Sequence, residues 1–581
     1  YEPIKTLQFT GKVGYDTSFS TYDASVHTRY VESDFADYYD EQFQEKRANA
    51  LSRFGEYSFQ PSRGYQVTSQ FLANYTHTFA EDYNINVFYG MEYRYSSSVS
   101  AKMGGYEFLL SDFQSFANIN PETYLQYAPY VNHATWDKYG YFGEVRFDYK
   151  GLVQVSGTWR HDGSSRLKQA YKTSYFYPSF TAGIIFSELF GWKNKWFSYG
   201  KLRGNWAKVG KDCPANLFTS SFKRWSTFPD PGYGKNPTVS YATRELEPEM
   251  TSSWEIGADL RFFDSRTRLD IAYYSTTVDN QIVSVRVSPA SGDILQTRNE
   301  GTIKNHGLEV SLQQDIFRTA DFDWTLFANY SFNRGRVTKL PDQIVEIQGT
   351  QYVDIFPVAR LNGSTTGISG KDYKRDPDGN VICDANGYPL IDPAKGNYIG
   401  NREPKFLLGL GSTLRSKHAT LSFLFDGRCG GDVANVTGRS LITNGMNHLY
   451  DKYRNREIIF KGVVANGDGT YSPNTTPVVL DQNFISTYYS SVSSNFIEDG
   501  SYIRLSYVTF TYDFSHLFKP TWPVKGLTLT ATGRNLFLLT KYTGNDPAIL
   551  AGVNGGTGAM GIDNYNIPST RSFNFAVKAS F

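Results

Sequence analysis

The chain lacks the features that define several common protein classes. Its 581 residues contain no apolar run approaching about 18 residues, and the mean hydropathy is −0.44, which excludes a bundle of membrane-spanning helices. The formal net charge is +1, so nothing indicates a nucleic-acid surface. Aromatic residues are abundant instead. The 43 tyrosines and 42 phenylalanines are typical of barrels with aromatic girdles at both membrane interfaces.

Catalytic motifs are also lacking, so neither an enzyme nor a bound cofactor is expected. The 8 histidines form no HxxxH or HExxH pattern. Residues 161–165, His-Asp-Gly-Ser-Ser, lie at the end of a predicted strand, and the Asp-Gly pair predicts a turn rather than a catalytic triad. The three cysteines, Cys213, Cys383 and Cys429, form no CxxC motif. One pair could close a disulfide in an oxidising compartment, and the sequence leaves open which pair.

Three aspartates in one long loop could suggest a calcium site. Asp376, Asp378 and Asp384 do not have the spacing of an EF-hand loop, which also needs a Glu at its last position. Asp378-Gly379-Asn380 and the segment 385–388 instead predict tight turns, and the loop is expected to carry a small hairpin. A structural calcium ion in this extracellular loop stays an open alternative.

Alternation of apolar and polar residues recurs along the chain. In residues 84–95, for example, Val87, Tyr89 and Met91 oppose Glu92 and Arg94. A period of two predicts a strand with two chemically different faces. The pattern gives about 16 strands, with no helical segments between them. The predicted strands are 4–20, 64–79, 84–98, 138–149, 152–162, 176–188, 197–211, 250–262, 267–283, 304–316, 322–338, 404–414, 419–427, 501–514, 524–538 and 570–581.

The connections between these strands alternate between short and long. The short ones are 80–83, 150–151, 189–196, 263–266, 317–321, 415–418 and 515–523. The long ones are 21–63, 99–137, 163–175, 213–249, 284–303, 339–403, 428–500 and 539–569. Outer-membrane barrels have short periplasmic turns and long extracellular loops, whereas a soluble sandwich has no reason to keep this parity. The predicted fold is therefore all-β, a transmembrane antiparallel β-barrel with long extracellular loops.

The last strand carries its own signal. Phe573, Phe575, Val577 and Phe581 share one side of residues 571–581, and polar residues occupy the other. A closing strand that ends on an aromatic residue resembles the last strand of bacterial outer-membrane barrels. In those barrels, the last strand and its terminal aromatic residue resemble the signal that the assembly machinery reads. The alternative is an edge strand of a soluble sheet, and the alternation elsewhere favours the barrel.

The polar faces of the strands contain many charged residues. In a barrel they would line a solvated lumen, with ion pairs between neighbouring strands. In an open channel these charges would influence which solutes pass, and in a plugged barrel they would form hydrogen bonds with the plug. The candidate lumen-facing residues are Glu92, Arg94, Glu144, Arg146, Arg160, Glu255, Asp259, Arg261 and Arg534.

An ordered set of segments carries a family resemblance over nearly the whole chain. The set includes residues 141–151, 159–166, 201–210, 246–257 and 533–537, which read YFGEVRFDYKG, WRHDGSSR, KLRGNWAKVG, LEPEMTSSWEIG and GRNLF. With the final strand, they resemble the SusC-like, TonB-dependent transporters of the Bacteroidetes outer membrane. Members of that family resemble plugged barrels of about 22 strands. The resemblance implies that residues 1–581 are the C-terminal part of such a barrel, without the N-terminal plug and the first strands.

The resemblance implies active import of a nutrient, an oligosaccharide or an oligopeptide, across the bacterial outer membrane. TonB would supply the energy, and a SusD-like surface lipoprotein would cover the mouth like a lid. Two other readings stay open: a closed, passive 16-stranded porin, and a surface scaffold that transports nothing. Loop aromatics would contact the substrate or the lid. The candidates for these contacts are Trp225, Phe228, Tyr233, Tyr352 and Tyr388.

Overall fold

A single large antiparallel sheet dominates the structure. The computed structural model describes residues 6–26, 55–110, 113–123, 130–214, 217–218, 222–225, 232–235, 241–288, 290, 295–341, 346–348, 351–392, 394, 396–447, 453–519, 521–548 and 560–581. The sheet contains 16 long strands, numbered here in chain order. They are β1 Leu7–Val26, β2 Glu56–Phe79, β3 Tyr83–Tyr106, β4 Tyr130–Tyr149, β5 Val153–Ser164, β6 Ser174–Ile184, β7 Phe197–Lys211, β8 Glu249–Phe262, β9 Thr267–Arg286, β10 Leu295–Arg318, β11 Phe322–Lys339, β12 Phe406–Ser416, β13 Ala419–Cys429, β14 Tyr502–Asp513, β15 Gly526–Thr540 and β16 Ser572–Ser580.

Each strand pairs with the next strand along the chain, from β1 to β16. All these pairings are antiparallel, so the sheet is an up-and-down meander. A two-residue strand, Tyr241–Ala242, adds a parallel pairing to β10. Among the residues that the structure describes, no pairing joins β16 back to β1. The predicted antiparallel wall of about 16 strands is confirmed.

The register between strands aligns apolar residues with apolar residues, so the sheet has one apolar face and one polar face. Directly opposed residues in antiparallel strands lie on the same face. Leu308 of β10 opposes Phe332 of β11, and two residues earlier Tyr330 opposes Leu408 of β12. On the other face, Glu309 opposes Ser331. The alternation seen in single strands is therefore a property of the whole sheet.

Several strands are longer than their sequence pattern predicted. β2 begins at Glu56 rather than at 64, β3 ends at Tyr106 rather than at 98, and β4 begins at Tyr130 rather than at 138. These extensions all lie at the ends joined by long loops. The segment 96–100 of β3, which reads SSSVS, still pairs with β2 although it does not alternate. The backbone ladder is therefore intact where the sequence alternation is lost.

The expectation that no helices separate the strands is wrong, because the described residues contain two α-helices and several shorter helical turns between strands. The strand predicted at 176–188 ends at Ile184, and helix α1, Phe186–Leu189, follows it. A second helix, α2, spans Val436–Thr443, and the side chain of Asn435 caps it by accepting a hydrogen bond from the Gly438 N–H. Within the described residues, no helix is long and apolar enough to cross a membrane.

Three long loops pack together into one unit with its own core. They are the loops after β11, β13 and β15, at 340–405, 430–501 and 541–571. Small sheets connect them: Asp432–Asn435 pairs with Ile497–Asp499 from its own loop and with Ile562–Asp563 from the last loop. The fully buried core residues come from all three loops. They are Ile355, Ile368, Ala434, Val436 and Ile562.

The loop after β11 contains the predicted turns. Gly379 and Gly387 have φ angles of +86° and +83°, a region that favours glycine. The Gly379 N–H donates to the Asp376 carbonyl at 3.0 Å, and the Gly387 N–H donates to the Asp384 carbonyl at 3.1 Å. The same loop also forms a four-stranded sheet from Glu346–Gln348, Phe356–Arg360, Gly367–Gly370 and Asn397–Asn401. The tight turns and the local hairpin are confirmed.

Truncating the core of the loop unit is expected to loosen all three loops together. Ile368→Ala removes a fully buried side chain and should cost about 2 to 5 kcal/mol of local stability. Hydrogen exchange should then speed up at Ile562–Asp563, which lies almost two hundred residues away. Ile459→Ala is the matched control, because Ile459 is exposed, and it should leave the exchange rates unchanged. Faster exchange confined to the loop after β11 would contradict a shared core.

Candidate functional site

The polar face of the sheet contains all the predicted lumen-facing residues. The register connects them strand by strand: Glu92 and Arg94 on β3 oppose Gly140 and Lys138 on β4, and Arg160 on β5 opposes Phe142. The residues on this face are Glu92, Arg94, Glu144, Arg146, Arg160, Glu255, Asp259, Arg261 and Arg534. Their common face is an observation, whereas their contact with a solute or a plug stays a prediction.

A buried carboxylate organises the charges on β3 to β6. Asp162 has 1% of its surface exposed, and its oxygens accept bonds from Arg160 Nε at 2.7 Å and from Lys138 Nζ at 3.1 Å. The Tyr177 hydroxyl donates to the same carboxylate. Arg160 Nη2 also lies 3.5 Å from Glu92 Oε1, which extends the cluster to β3. One aspartate therefore holds two cations and a hydroxyl from three strands.

The turn predicted at Asp162-Gly163 is wrong, because β5 continues through it to Ser164. Asp162 opposes Gly140 on β4, and Gly163 opposes Tyr139. A side chain at Gly163 would collide with the Tyr139 ring, and one at Gly140 would collide with the Asp162 carboxylate. Glycine is present at these two positions because neighbouring side chains cross over the backbone. The dipeptide alone does not distinguish this use of glycine from a turn.

Ion pairs on the polar face follow two patterns. Arg94 with Glu92, Arg146 with Glu144, and Arg261 with Asp259 are pairs within one strand, with N–O distances of 3.2, 2.8 and 3.2 Å. Residues two apart share a face, so a long arginine side chain can fold back onto the carboxylate. The expectation of cross-strand pairs is therefore only partly correct.

One bidentate ion pair joins two strands that are not neighbours and reaches across the strand between them. Arg203 of β7 donates from Nη1 and Nη2 to Asp270 of β9 at 2.7 and 2.8 Å, in a bidentate arrangement. It crosses over Gly257 of β8, where a Cβ would lie 2.7 Å from the guanidinium. Glu255, also on β8, is 3.7 Å from Arg203 Nε. The pairing of Arg203 with Asp270 is not evident from the sequence, because a pair across an intervening glycine leaves no local pattern.

A cavity of about 400 Å³ lies where the polar face meets the loops. Strand residues Tyr274, Glu309 and Asn333 line it from β9, β10 and β11, and the loop residues Arg402 and Glu403 line it from above. The Tyr274 hydroxyl donates to Asn333 Oδ1 at 3.3 Å. The cavity thus offers a carboxylate, an amide and a phenol on its strand side.

Two arginines fix the loops to the rim of this cavity. Arg428 Nη2, at the end of β13, donates to the Arg402 carbonyl at 3.0 Å. Arg402 in turn donates to the carbonyls of Thr366 and Met560, at 3.2 and 2.6 Å. Burial lowers the pKa of Arg402 to about 10, so the guanidinium stays protonated at neutral pH.

Glu403, next to Arg402, is also part of the rim. Its Oε1 accepts a bond from the Gly335 N–H at 2.7 Å, so the carboxylate ties the loop back to β11. Burial raises the pKa of the Glu403 carboxyl above its ordinary value. The rim of the cavity is therefore a set of paired polar groups, and Glu309 is its exposed carboxylate on the strand side.

The loop aromatics have varied surroundings. Tyr352 packs against the core of the loop unit, and Tyr388 stacks on Tyr488 with ring centroids 4.7 Å apart. Trp225 and Tyr233 lie on a short hairpin, Phe222–Trp225 with Gly232–Lys235, whose side chains are outside the described residues. Phe228 lies outside the described residues altogether. The half-burial of Tyr352 and Tyr388 is explained by packing, and contact with a substrate or a lid stays a prediction.

The final strand exposes its apolar face. β16 pairs with β15, and Phe573, Phe575, Val577 and Phe581 are between 65% and 82% exposed. β1 at the other edge of the sheet likewise exposes apolar side chains, among them Val13 at 79%. These exposures suit contact with lipid or with further strands. A role of the four aromatic and apolar residues of β16 in barrel assembly stays a prediction.

The cysteines and the loop aspartates are accounted for by local structure. Cys213 and Cys383 are buried and Cys429 is half-buried, and all three are free thiols. Asp376 accepts bonds from the Asn380 N–H and side-chain amide at 2.7 and 3.0 Å, which lowers the pKa of Asp376. Within the described residues, no group of three or more possible ligands could hold a metal ion. The calcium alternative stays a prediction.

An up-and-down sheet of 16 long strands with one apolar and one polar face defines the chain as a bacterial outer-membrane β-barrel protein. A family model described as TonB dependent receptor-like, beta-barrel, matches residues 4–407, and the chain belongs to this family. The predicted resemblance to SusC-like receptors is confirmed. The curated relatives are described as TonB-dependent receptors, not as enzymes.

Curated relatives and solved structures agree with this assignment. TonB-dependent receptor P3 of Formosa agariphila is 22% identical, over 91% of this chain and 53% of the relative. TonB-dependent receptor SusC of Bacteroides thetaiotaomicron is 24% identical, over 71% of this chain and 41% of the relative. The RagAB peptide transporter has a similar fold, with a TM-score of 0.72 and 17% identity over 99% of this chain and 60% of that chain. The chain spans about half the length of the curated relatives it matches.

Removing the Asp162 carboxylate is expected to destabilise the wall. Asp162→Ala leaves Lys138, Arg160 and Tyr177 without their shared acceptor and should cost about 3 to 5 kcal/mol. The midpoint of thermal unfolding, followed by circular dichroism, should decrease accordingly. Glu144→Ala is the matched control on the neighbouring strand. Its partner Arg146 is 56% exposed, so this change should cost less than about 1 kcal/mol. Equal effects of the two changes would show that Asp162 does not organise the cluster.

Proposed function

We propose that the protein is the barrel subunit of a TonB-dependent importer that brings an oligopeptide or an oligosaccharide across the outer membrane. The observation that carries this proposal is the continuous polar face, with its ion pairs and with a cavity at its extracellular end. A lumen lined in this way can hydrate and pass a polar solute. Family membership supports the dependence on TonB.

The proposed complex includes a SusD-like surface lipoprotein that closes over the mouth. Support comes from two neighbours: SusC, a TonB-dependent receptor, and RagAB, a solved structure described as a peptide importer. The extracellular loop unit, with its own packed core, is a rigid platform on which such a lid can rest.

We also propose that residues 1–581 form the C-terminal part of the barrel and that a plug and further strands complete it. In the described residues β1 and β16 are both edges, and unpaired N–H and C=O groups are prohibitive in hydrocarbon. The share of the relatives that the chain covers supports the same proposal. In the assembly, the polar face would contact the plug.

The composition of the native complex tests this proposal. The complex should be purified in mild detergent from the native membrane, and the denatured mass of every polypeptide in it should be measured. We expect a barrel chain heavier than 65.7 kDa, or a second plug-bearing fragment, together with a lipidated partner. A single species of 65.7 kDa would contradict the proposal and favour a closed porin.

Energy dependence separates import from the two alternatives. Uptake of labelled oligopeptides and oligosaccharides by cells should stop when TonB is deleted, because the plug must be pulled for a solute to pass. Uptake that continues without TonB indicates a porin, and the absence of uptake of either class indicates a scaffold. The class that is taken up identifies the substrate.

A further inference from the structure

The loop after β13 encloses an apolar cavity that has no part in the site described above. Its volume is about 270 Å³. The residues around it are mostly aliphatic or aromatic, and three of them have a polar end: Tyr453 and Arg454, which are solvent-exposed, and Tyr489, which is half-buried. The lining residues are Ile442, Tyr453, Arg454, Ile458, Phe460, Leu480, Phe484, Ile485 and Tyr489.

Three pieces of secondary structure build the cavity. Ile442 comes from helix α2, and Ile458 comes from the short strand Glu457–Ile459, which pairs with Pro477–Val479. The Asn455 N–H donates to the Leu480 carbonyl at 3.0 Å, and the Leu480 N–H donates to the Arg456 carbonyl at 2.9 Å. These bonds occupy the backbone polar groups beside the cavity. Its walls are therefore mostly hydrocarbon.

The third piece is a π-helical turn, Phe484–Tyr489. The Ser490 N–H donates to the Ile485 carbonyl at 2.7 Å, which is the five-residue spacing of this conformation. Such turns are rare and are found frequently at functional sites, because they are less favourable than an α-helix. This turn contributes Phe484, Ile485 and Tyr489 to the cavity. An uncommon backbone conformation and an unfilled apolar space thus occur at the same place.

Volume and chemistry together select the kind of group that fits. An apolar cavity of about 150 Å³ can bind benzene, so this larger space accommodates a phenyl or an indole ring. A sugar ring would lose its hydrogen bonds to water and would find hydrocarbon instead. The side chains in the wall belong to a cluster with buried Leu480 and Phe484, so the site is largely formed before a ligand arrives.

We propose that this cavity binds one aromatic side chain of a peptide on the extracellular face of the protein. The inference rests on the proposed import function and deepens it, because it selects oligopeptides over oligosaccharides as the substrate class. Binding here holds a peptide beside the mouth before import and needs no energy from TonB.

Binding of a small amino-acid derivative tests the site. The complex purified from the native membrane is placed in lipid nanodiscs, since detergent micelles would themselves absorb an apolar ligand. Saturation-transfer NMR with N-acetyl-L-phenylalaninamide should give a signal, and N-acetyl-L-serinamide should give none. Equal signals from both compounds would overturn the proposal.

Two neighbouring isoleucines supply a matched pair of variants. Ile458→Trp fills the cavity and should weaken binding of the phenylalanine derivative by at least about tenfold. Ile459→Trp places the same bulk on a side chain that is 57% exposed and does not line the cavity, so binding should be unchanged. Equal weakening by both variants would show that the ring binds elsewhere.

Xenon provides a readout that does not depend on a variant folding correctly. Crystals of the wild-type protein under xenon pressure should show one xenon atom between Ile442 and Phe484, because a dry apolar space binds this gas. Absence of xenon, or its presence without binding of the phenylalanine derivative, would overturn the assignment to a peptide side chain. If the phenylalanine derivative binds while uptake does not require TonB, the binding site is supported and the proposal of TonB-dependent import is contradicted.

Discussion

The structure depends on the pairing of every backbone N–H and C=O group in a hydrocarbon environment. Water is absent there, so a sheet can cross the membrane only when each strand pairs with its neighbours. The ladder from β1 to β16 meets this requirement for every strand between its two edges, and its register then determines which face each side chain occupies. A slip of one residue would place Glu309 in lipid and Leu308 in water. Backbone pairing thus determines the chemistry of both faces.

Confining charge to one face creates crowding, and the structure relieves it in two ways. Arginines fold back onto carboxylates two residues away in the same strand, as Arg146 does with Glu144. Where an arginine must reach farther, glycine provides the room, as Gly257 does beneath Arg203. Glycines in this sheet therefore lie beneath crossing side chains as well as in turns. The buried Asp162 cluster is the densest example, because Gly140 and Gly163 both flank it.

The sequence predicts the wall well because one physical cause determines it. Where lipid faces one side and water the other, alternation identifies each strand, and the nine charged candidates lie on one face of the sheet. The prediction fails where that cause is absent. β2 and β3 continue above the membrane with water on both faces, so their extracellular ends have no alternating signal. The core of the loop unit joins Ile368, Val436 and Ile562, which are far apart in sequence, so no local pattern could reveal it. The pairing of Arg203 with Asp270 leaves no local pattern for the same reason.

The loops and the wall are two packed systems joined by hydrogen bonds and ion pairs. The loop unit has its own buried core, whereas the wall is held by its ladder and by ion pairs. Bonds between them include Arg428 of β13 with the Arg402 carbonyl, the Gly335 N–H of β11 with Glu403, and Arg504 of β14 with Asp546. A shift of the loops relative to the wall must break these bonds, and Arg428 and Glu403 line the mouth cavity. Any ligand that moves the loops therefore changes the entrance to the lumen at these contacts.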